Sequence, residues 1–325
     1  MRRQQTAESN RGFAELFGAV VGNIEKVIQG KPEVIELALL CLLAEGHLLI
    51  EDVPGVGKTS LAKSLATSID CSFGRVQFTP DLLPSDVVGV TVWNRAAGGE
   101  FEFRPGPIFA NIVLADEINR ASPKTQSALL EAMQEGQVTV DGTTYPLSPP
   151  FLVLATQNPI EHEGTYPLPE SQLDRFLMRV AMGYPARDAE IEILETHAIH
   201  DTLADISAVV TAGDVLAMTE VVRAVHVAPS LKGYLVDLAD ASRRHPRLAL
   251  GMSPRATLSL QRVARARAAA AGRTYVVPDD LKALAEPVLA HRFLITPEAQ
   301  LSGVTAADAL QDVLRSVPVP TGRSR

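Results

Sequence analysis

The chain has 325 residues, 46% of them hydrophobic and 21% charged, and carries a formal net charge of −8. These values are ordinary for a soluble globular protein of about two domains. The acidic balance argues against a broad nucleic-acid or anionic-membrane surface, so we expect no nucleic-acid partner.

Cysteine content and hydropathy exclude two further classes. The chain has only Cys41 and Cys71, which indicates two thiols in a reducing compartment and not a disulfide framework. The polar segment after the first three residues lacks the apolar core of a signal peptide. The longest apolar run, residues 34–44, is shorter than the about 20 residues that a membrane span needs. We therefore expect a cytoplasmic protein without a membrane span.

The first predicted elements are helical. Residues 1–12 are predicted to form a flexible tail, and apolar residues at helical spacing predict an amphipathic helix over 13–28. Gly30 separates it from a second helix, for which Pro32 suits the first turn. Gly46 ends this helix just before a short apolar run at 48–50, which is typical of a strand buried on both faces.

The sequence DVPGVGKT, residues 52–59, follows that strand and precedes apolar residues at helical spacing. Strand, glycine-bearing turn and helix form the context of a P-loop. Gly55 and Gly57 allow backbone N–H groups to turn toward phosphate oxygens, Lys58 would reach the β/γ-phosphates, and the Thr59 hydroxyl would bind Mg²⁺. Asp52 replaces the first glycine of the usual motif. The alternative is a plain Gly/Pro turn between strand and helix.

A second apolar strand is predicted at 111–117 and ends in two acids, Asp116 and Glu117. The carboxyl ends of strands are where α/β sheets place ligand chemistry. Asp116 fits the carboxylate that holds Mg²⁺, directly or through water, and Glu117 fits a residue that orients or deprotonates the attacking water. Solvated surface charge is the usual alternative for an Asp-Glu pair.

Two hairpins and a further strand follow. Residues 88–93 and 100–104 are predicted to form one hairpin, and residues 137–147 another around an Asp-Gly turn. An apolar strand at 151–155 leads to Asn158, a polar residue at a strand tip that could contact the γ-phosphate or its water. A turn-forming Asn before proline is the alternative for Asn158. A last strand is predicted from 176 to about 182.

Beyond residue 186, the alternation of strands and helices stops. Helical patterns cover residues 187–198, 214–225, 230–244, 254–271, 278–290 and 306–314. The sequence therefore predicts an α/β nucleotide-binding domain at 13–185 with two hairpin inserts, a helical domain at 186–316 and a flexible tail at 317–325. Arg255 is predicted in the first turn of a helix, where an arginine is unusual unless it faces an anion.

These motifs together resemble the MoxR family of AAA+ ATPases over about residues 13–314. EDVPGVGKT (51–59) resembles the Walker A motif of that family, and VLADEINRA (113–121) resembles its Walker B motif. ATQNP (155–159) is similar to sensor 1, LPESQLDRF (168–176) places an arginine finger at Arg175, and MSPRA (252–256) places sensor 2 at Arg255. The two hairpins are similar to the helix-2 insert and the pre-sensor-1 hairpin.

The resemblance implies an α/β fold, a P-loop AAA+ parallel-sheet domain followed by an all-helical lid domain, with ATP and Mg²⁺ at their junction. It implies a hexameric ring that acts on a client or adaptor protein with a von Willebrand factor A (VWA) domain, or on metal-dependent enzymes. It assigns catalysis to Lys58, Glu117, Asn158, Arg175 and Arg255, and Mg²⁺ binding to Thr59 and Asp116. The expected nucleotide contacts are Val27, Ile28, Pro54, Gly55, Val56, Gly57, Lys58, Thr59, Ser60 and Asp116.

Three alternatives share a P-loop. A magnesium-chelatase-like subunit would have the same type of ATPase. The two functions would be distinguished by whether the neighbouring gene encodes a chelatase catalytic subunit or a metal-binding partner. A transcription-activator ATPase would need a GAFTGA-type loop and a DNA-binding helix-turn-helix, and the sequence has neither. A small-molecule kinase would leave Arg175 and Arg255 without a role. Our interpretation is a ring-forming ATPase that remodels other proteins.

Overall fold

The computed structural model describes residues 2–94, 100–159, 164–197 and 202–320. The strands are β1 (Leu48–Glu51), β2 (Phe73–Gln77), β3 (Gly89–Asn94), β4 (Glu100–Pro105), β5 (Ile112–Asp116), β6 (Gln137–Val140), β7 (Thr143–Pro146), β8 (Leu152–Gln157), β9 (Met178–Val180), β10 (Leu248–Leu250) and β11 (Leu294–Ile295).

The α-helices are α1 (Arg2–Glu25), α2 (Pro32–Leu43), α3 (Lys58–Ser68), α4 (Pro84–Val88), α5 (Pro123–Glu135), α6 (Glu170–Leu173), α7 (Arg187–His197), α8 (Ala212–Ala224), α9 (Pro229–Arg243), α10 (Pro254–Ala270), α11 (Pro278–Leu289), α12 (Pro297–Leu301) and α13 (Ala306–Ser316). A membrane-spanning helix is absent from the described part of the chain.

A five-stranded parallel sheet in the order β2-β5-β8-β1-β9 forms the centre of the first domain. Its three central strands, β5, β8 and β1, are buried up to their last residue because both faces are covered. Along β5, Ile112 and Leu114 belong to the core on one face, and Val113 and Ala115 to the core on the other. The carboxyl ends of β1, β5 and β8 lie side by side, which brings the polar residues after them to one edge of the sheet.

The two faces of the sheet are covered differently. One face shares a continuous core with α1, α2, α3 and the C-terminal helices, whereas α4 and α5 cover the other. In the C-terminal domain, α10 packs against α1 and α2, and α11 packs against β9. The predicted parallel-sheet domain and helical lid are therefore confirmed.

Both predicted hairpins are present and lie outside the parallel sheet. β3 pairs with β4 and β6 with β7, and the turn at 95–99 lies outside the described residues. At the base of the first hairpin, two glycines lie so close to neighbouring backbone atoms that a Cβ would not fit. A Cβ on Gly89 would lie 2.4 Å from the Arg104 carbonyl oxygen, and one on Gly106 would lie 2.3 Å from the Val87 carbonyl oxygen.

The structure differs from the sequence prediction at both ends and within the lid. α1 begins at Arg2, so most of the expected tail at 1–12 is helical. Residues 2–9 contain no Gly or Pro and several strong helix formers, which explains the extension. Val317, assigned to the C-terminal tail, is buried in the core. The lid also contains a small antiparallel pair, β10–β11, which is too short to show a sequence period.

Candidate functional site: a phosphate cleft and an arginine cleft

The glycine-bearing turn lies between the carboxyl end of β1 and the start of α3. Gly55 and Gly57 have φ angles of 84° and 91°, in the left-handed region that strains residues with a Cβ. α3 begins at Lys58 directly after Gly57, so the first-turn N–H groups of the helix lie at this turn without helical partners. This is the arrangement that binds phosphate in proteins.

Asp52, which stands in place of the first P-loop glycine, braces the turn. Its carboxylate is buried and accepts hydrogen bonds from the backbone N–H of Val53 at 2.8 Å and of Gly183 at 2.5 Å. Because Gly183 lies just after β9, Asp52 connects the turn to the neighbouring strand. The backbone carbonyl of Asp52 accepts a hydrogen bond from Lys58 Nζ at 2.6 Å.

The Lys58 ammonium lies among negative groups. Burial lowers the pKa of Lys58, while the charges of Asp52, Asp116 and Glu117 act in the opposite direction. A half-buried cation next to backbone N–H groups is suited to polyphosphate, because the bound phosphates add negative charge that offsets the loss of solvation of the ammonium.

Thr156, at the end of β8, fixes the two acids at the end of β5. Its hydroxyl donates to Asp116 Oδ1 at 2.7 Å and accepts from the Glu117 N–H at 2.9 Å. Glu117 has a φ of 56°, so its backbone is held in a left-handed conformation that directs it away from the strand. Asp116 Oδ2 accepts from Arg75 at 2.7 Å.

The Glu117 carboxylate has two donors of its own. Gln77 Nε2 donates to Glu117 Oε2 at 2.8 Å, and Arg120 Nη1 donates to the same oxygen at 2.9 Å. Sequence reasoning missed Arg75, Gln77 and Thr156. The only signal was polar residues near the ends of predicted strands, since the register that sets Gln77 opposite Asp116 is not readable from the sequence.

The turn and the acids enclose one cleft of about 390 Å³. Nine predicted site residues line it: Pro54, Gly55, Gly57, Lys58, Thr59, Ser60, Asp116, Glu117 and Asn158. Arg75 and Thr156 complete the lining. Three expected nucleotide contacts do not line it: Val27 and Ile28 are buried in the main core, and Val56, within the turn, packs against that core. Ile28 is nevertheless adjacent to the turn, 3.7 Å from where a Cβ on Gly57 would stand.

Arg175 and Arg255 line a different cleft of about 220 Å³. Arg262, Arg292 and Asp174 also line this arginine cleft, and neither of the two predicted catalytic arginines lines the phosphate cleft of the same chain. Arg255 Nη1 lies 3.9 Å from Asp174 Oδ2. The resemblance implies sensor 2 at Arg255, and in the structure this residue lines the same cleft as Arg175.

The phosphate cleft combines backbone N–H groups, an ammonium and two carboxylates, which are the parts that hold a nucleoside triphosphate and direct water at it. A parallel sheet with this cleft and a helical lid defines a P-loop ATPase of the AAA type. Residues 47–178 match the ATPase family associated with various cellular activities (AAA), and residues 240–313 match the AAA lid domain.

Comparison with similar proteins identifies a family within this class of ATPases. The chain is 50% identical over 309 residues to the uncharacterized protein YeaC of Bacillus subtilis, covering 95% of this chain and 96% of YeaC. It is 41% identical over 329 residues to Chaperone MoxR1 of Mycobacterium tuberculosis, with 96% and 86% covered. A crystal structure of a protein from Cytophaga hutchinsonii that is named as an ATPase superposes with a TM-score of 0.92 at 39% identity, over 99% of this chain and 100% of that chain.

The chain is likewise 32% identical to Protein MoxR of Paracoccus denitrificans, covering 90% of this chain and 93% of that protein. This chain therefore belongs to the MoxR family of AAA+ ATPases. It binds nucleotide and is an ATP hydrolase.

Proposed function

We propose that this protein is a hexameric, cytoplasmic ATPase that uses Mg-ATP hydrolysis to remodel or activate partner proteins that carry VWA domains or depend on a metal. The observation that carries the proposal is the separation of Lys58 and Glu117, in the phosphate cleft, from Arg175 and Arg255, in the arginine cleft. Each subunit then contributes its phosphate cleft to one catalytic site and its arginine cleft to another.

The phosphate cleft has the donor set that Mg²⁺ prefers, since the Thr59 hydroxyl and the Asp116 carboxylate both line it. When bound, Mg²⁺ neutralises charge on the β- and γ-phosphates. Arg75 occupies Asp116 Oδ2 in the structure, so we expect this ion pair to open when the metal binds.

Four residues of the same chain serve the chemistry in this proposal. Lys58 and the N–H groups of the turn bind the phosphates, and Glu117 orients the attacking water. Asn158 is buried at the tip of β8, lines the same cleft, and contacts the γ-phosphate or that water. Thr156 positions both acids, since its hydroxyl binds the Asp116 carboxylate and the Glu117 backbone N–H.

Arg175 and Arg255 serve the neighbouring subunit. An arginine that does not line its own phosphate cleft can reach a γ-phosphate when another copy presents one, which requires a head-to-tail interface. Such an interface closes into a ring when its rotation permits, and a hexamer follows from the family resemblance. An arginine supplied in trans contributes about 10³- to 10⁵-fold in rate, whereas an exposed ion pair contributes about 1 kcal/mol or less.

Mixing inactive subunits tests the proposal. Arg175→Ala should bind ATP and lose most of its turnover, and Lys58→Ala should be inactive because it lacks the phosphate-binding charge. In equimolar mixed rings, about a quarter of the interfaces pair an intact Lys58 with an intact Arg175, so turnover should recover to about that fraction. Phosphate release measures turnover, and native mass spectrometry verifies that both variants share a ring.

Arg187→Ala is the matched control, because Arg187 is an arginine on α7 with 86% of its side chain exposed. It should turn over ATP like the wild type. Rings that contain both inactive variants and still hydrolyse no ATP would overturn catalysis in trans. A protein that stays monomeric with ATP would overturn the ring.

A further inference from the structure

The lid holds the chain on both sides of Arg175. After it, Arg292 Nη2 donates to the Phe176 carbonyl oxygen at 2.8 Å, and His291 Nε2 donates to the same oxygen at 3.2 Å. Before it, Arg292 Nε lies 3.2 Å from Asp174 Oδ1. His291 and Arg292 follow α11 in the lid, so two adjacent lid residues hold both neighbours of Arg175.

These contacts are buried, which makes them hard to exchange. Arg292 is 7% exposed and His291 is 5% exposed. Burial lowers the pKa of Arg292 to about 10, with Asp174 acting in the opposite direction, and lowers the pKa of His291 to about 3. A buried guanidinium without its carboxylate is strongly destabilising, so Asp174 has to stay with Arg292.

The same carboxylate also faces Arg255. Arg255 Nη1 lies 3.9 Å from Asp174 Oδ2, while Arg292 Nε lies 3.2 Å from the other oxygen of this carboxylate, Oδ1. Arg255 stands at the start of α10, so one carboxylate of the sheet domain faces two lid residues from different elements. The two arginines that the proposed mechanism needs thus share one cleft, in which Asp174 and Arg292 connect the sheet domain to the lid.

We propose that Arg292 is a positioning residue for catalysis in the neighbouring subunit. It fixes the Phe176 carbonyl after Arg175 and the Asp174 side chain before it relative to the lid and, through Asp174, keeps Arg255 in the same cleft. This inference rests on the proposed function, because it requires Arg175 to act in trans. The lid of one subunit then sets where Arg175 enters the site of the next, and a misplacement of about 1 Å lowers a rate by about 10²-fold.

Subunit mixing separates this role from a purely structural one. Arg292→Met should lower kcat about 10²-fold with KM for ATP within about twofold, because its own phosphate cleft stays intact. Mixed with Lys58→Ala, which brings a well-placed Arg175, the variant should regain turnover. Mixed with Arg175→Ala, it should regain none. Arg292→Lys keeps the charge beside Asp174 but not the forked geometry, so its loss should be about tenfold.

Arg273→Met is the matched control. It removes another lid ion pair, in which Arg273 Nη2 lies 2.6 Å from the buried Asp280, and that pair does not contact residues 174–176. It should lower the melting temperature and leave kcat near the wild-type value. If Arg292→Met does not fold, the same rescue pattern is required of Arg292→Lys at smaller amplitude.

Three results would overturn the inference. Arg292 variants with wild-type kcat would show that Arg175 does not need this contact. Failure of Lys58→Ala to rescue them, while it rescues Arg175→Ala, would show that Arg292 serves its own subunit. If Arg175→Ala and Lys58→Ala share rings and still hydrolyse no ATP, catalysis in trans is contradicted. The positioning role of Arg292 is then contradicted as well.

Discussion

At the residue scale, one hydroxyl binds two acids that are adjacent in sequence. Thr156 donates to the Asp116 carboxylate and accepts from the Glu117 backbone, whose left-handed φ of 56° costs about 1 to 2 kcal/mol for a residue with a Cβ. The two carboxylates consequently have different partners, Arg75 for Asp116 and Gln77 with Arg120 for Glu117. Neighbouring acids can therefore perform different chemistry.

Lys58→Ala and Glu117→Gln should separate nucleotide binding from hydrolysis. Lys58→Ala deletes the ammonium on the phosphates and should raise the Kd for ATP by at least about tenfold, since one charge-assisted contact is worth about 1.5 to 3 kcal/mol. Glu117→Gln keeps the shape of the cleft and should bind ATP with wild-type affinity while kcat falls. Fluorescent-nucleotide titration and phosphate release measure the two quantities. Equal ATP affinity for Lys58→Ala and wild type would contradict the assignment of Lys58.

The phosphate cleft was largely predictable because its motif is local. Gly55, Gly57 and Lys58 occur within one strand–turn–helix segment, so their relation needs no long-range information. Gln77 was not predictable, because its role depends on the register of β2 against β5, which are brought together by folding.

At the element scale, His47 joins the start of β1 to two other elements. Its Nε2 donates to the Met133 carbonyl oxygen at the end of α5 at 2.9 Å, and its Nδ1 accepts from the Val153 N–H in β8 at 3.1 Å. The bond from Val153 requires the neutral ring, because a protonated Nδ1 cannot accept it. Burial lowers the pKa of His47 from 6.5 to about 4.

Acid should therefore destabilise the fold through His47. Because the folded-state pKa lies below 6.5, the unfolded chain binds the proton first. The contribution of His47 to stability is therefore constant above about pH 6.5, falls toward pH 4 and then levels off. His291 acts in the same direction. His47→Gln should flatten the decline by up to about 1.4 kcal/mol per pH unit. Urea unfolding at pH 7.5, 6.0 and 5.0 measures the free energy of unfolding. If this free energy falls with pH as steeply in the variant as in the wild type, the role of His47 is contradicted.

Helices with a clear period were predicted closely, whereas elements without one were missed. The predicted helix at 278–290 is α11, Pro278–Leu289, which has Pro at its first position and a strongly amphipathic pattern. α12 and the β10–β11 pair were not predicted, because segments of two to five residues show no period.

At the scale of the whole molecule, the two hairpins form one aromatic surface beside the sheet domain. Trp93 and Phe101 pack edge to face at 4.9 Å between ring centroids and are 55% and 72% exposed. Phe103 stacks on Tyr145 of the second hairpin at 4.0 Å. Exposed aromatic pairs on loops carried by a rigid scaffold are typical of protein-binding surfaces.

Replacing Trp93 and Phe101 together with Ser should abolish partner engagement and preserve ATP turnover, because neither residue lines the phosphate cleft. The probe is a purified VWA-domain protein from the same organism, and its binding to Glu117→Gln rings with ATP is measured with and without the hairpin changes. Leu301→Ser, at a 91% exposed lid position, is the control and should bind normally. Normal binding by the double variant would contradict this role, and loss of folding would show that the hairpin is part of the core.

The division into a sheet domain and a lid could be predicted, but not how they meet. The position of Arg255 depends on α10 packing against α1 and α2, which lie more than 200 residues earlier in the chain. Sequence motifs identify Arg175 and Arg255 separately. Their shared cleft results from tertiary contacts alone.

The glycine pair at the base of the first hairpin has an evolutionary consequence. Gly89 and Gly106 leave no room for a Cβ, so substitutions there are excluded whatever the partner. The exposed positions farther along the strands, such as Trp93 and Phe101, bear no such constraint. Gene duplication followed by drift can therefore change which protein is recognised while the hydrolytic cleft stays the same. Among paralogues in one genome, we expect the two glycines to be invariant and the residues between them to diverge.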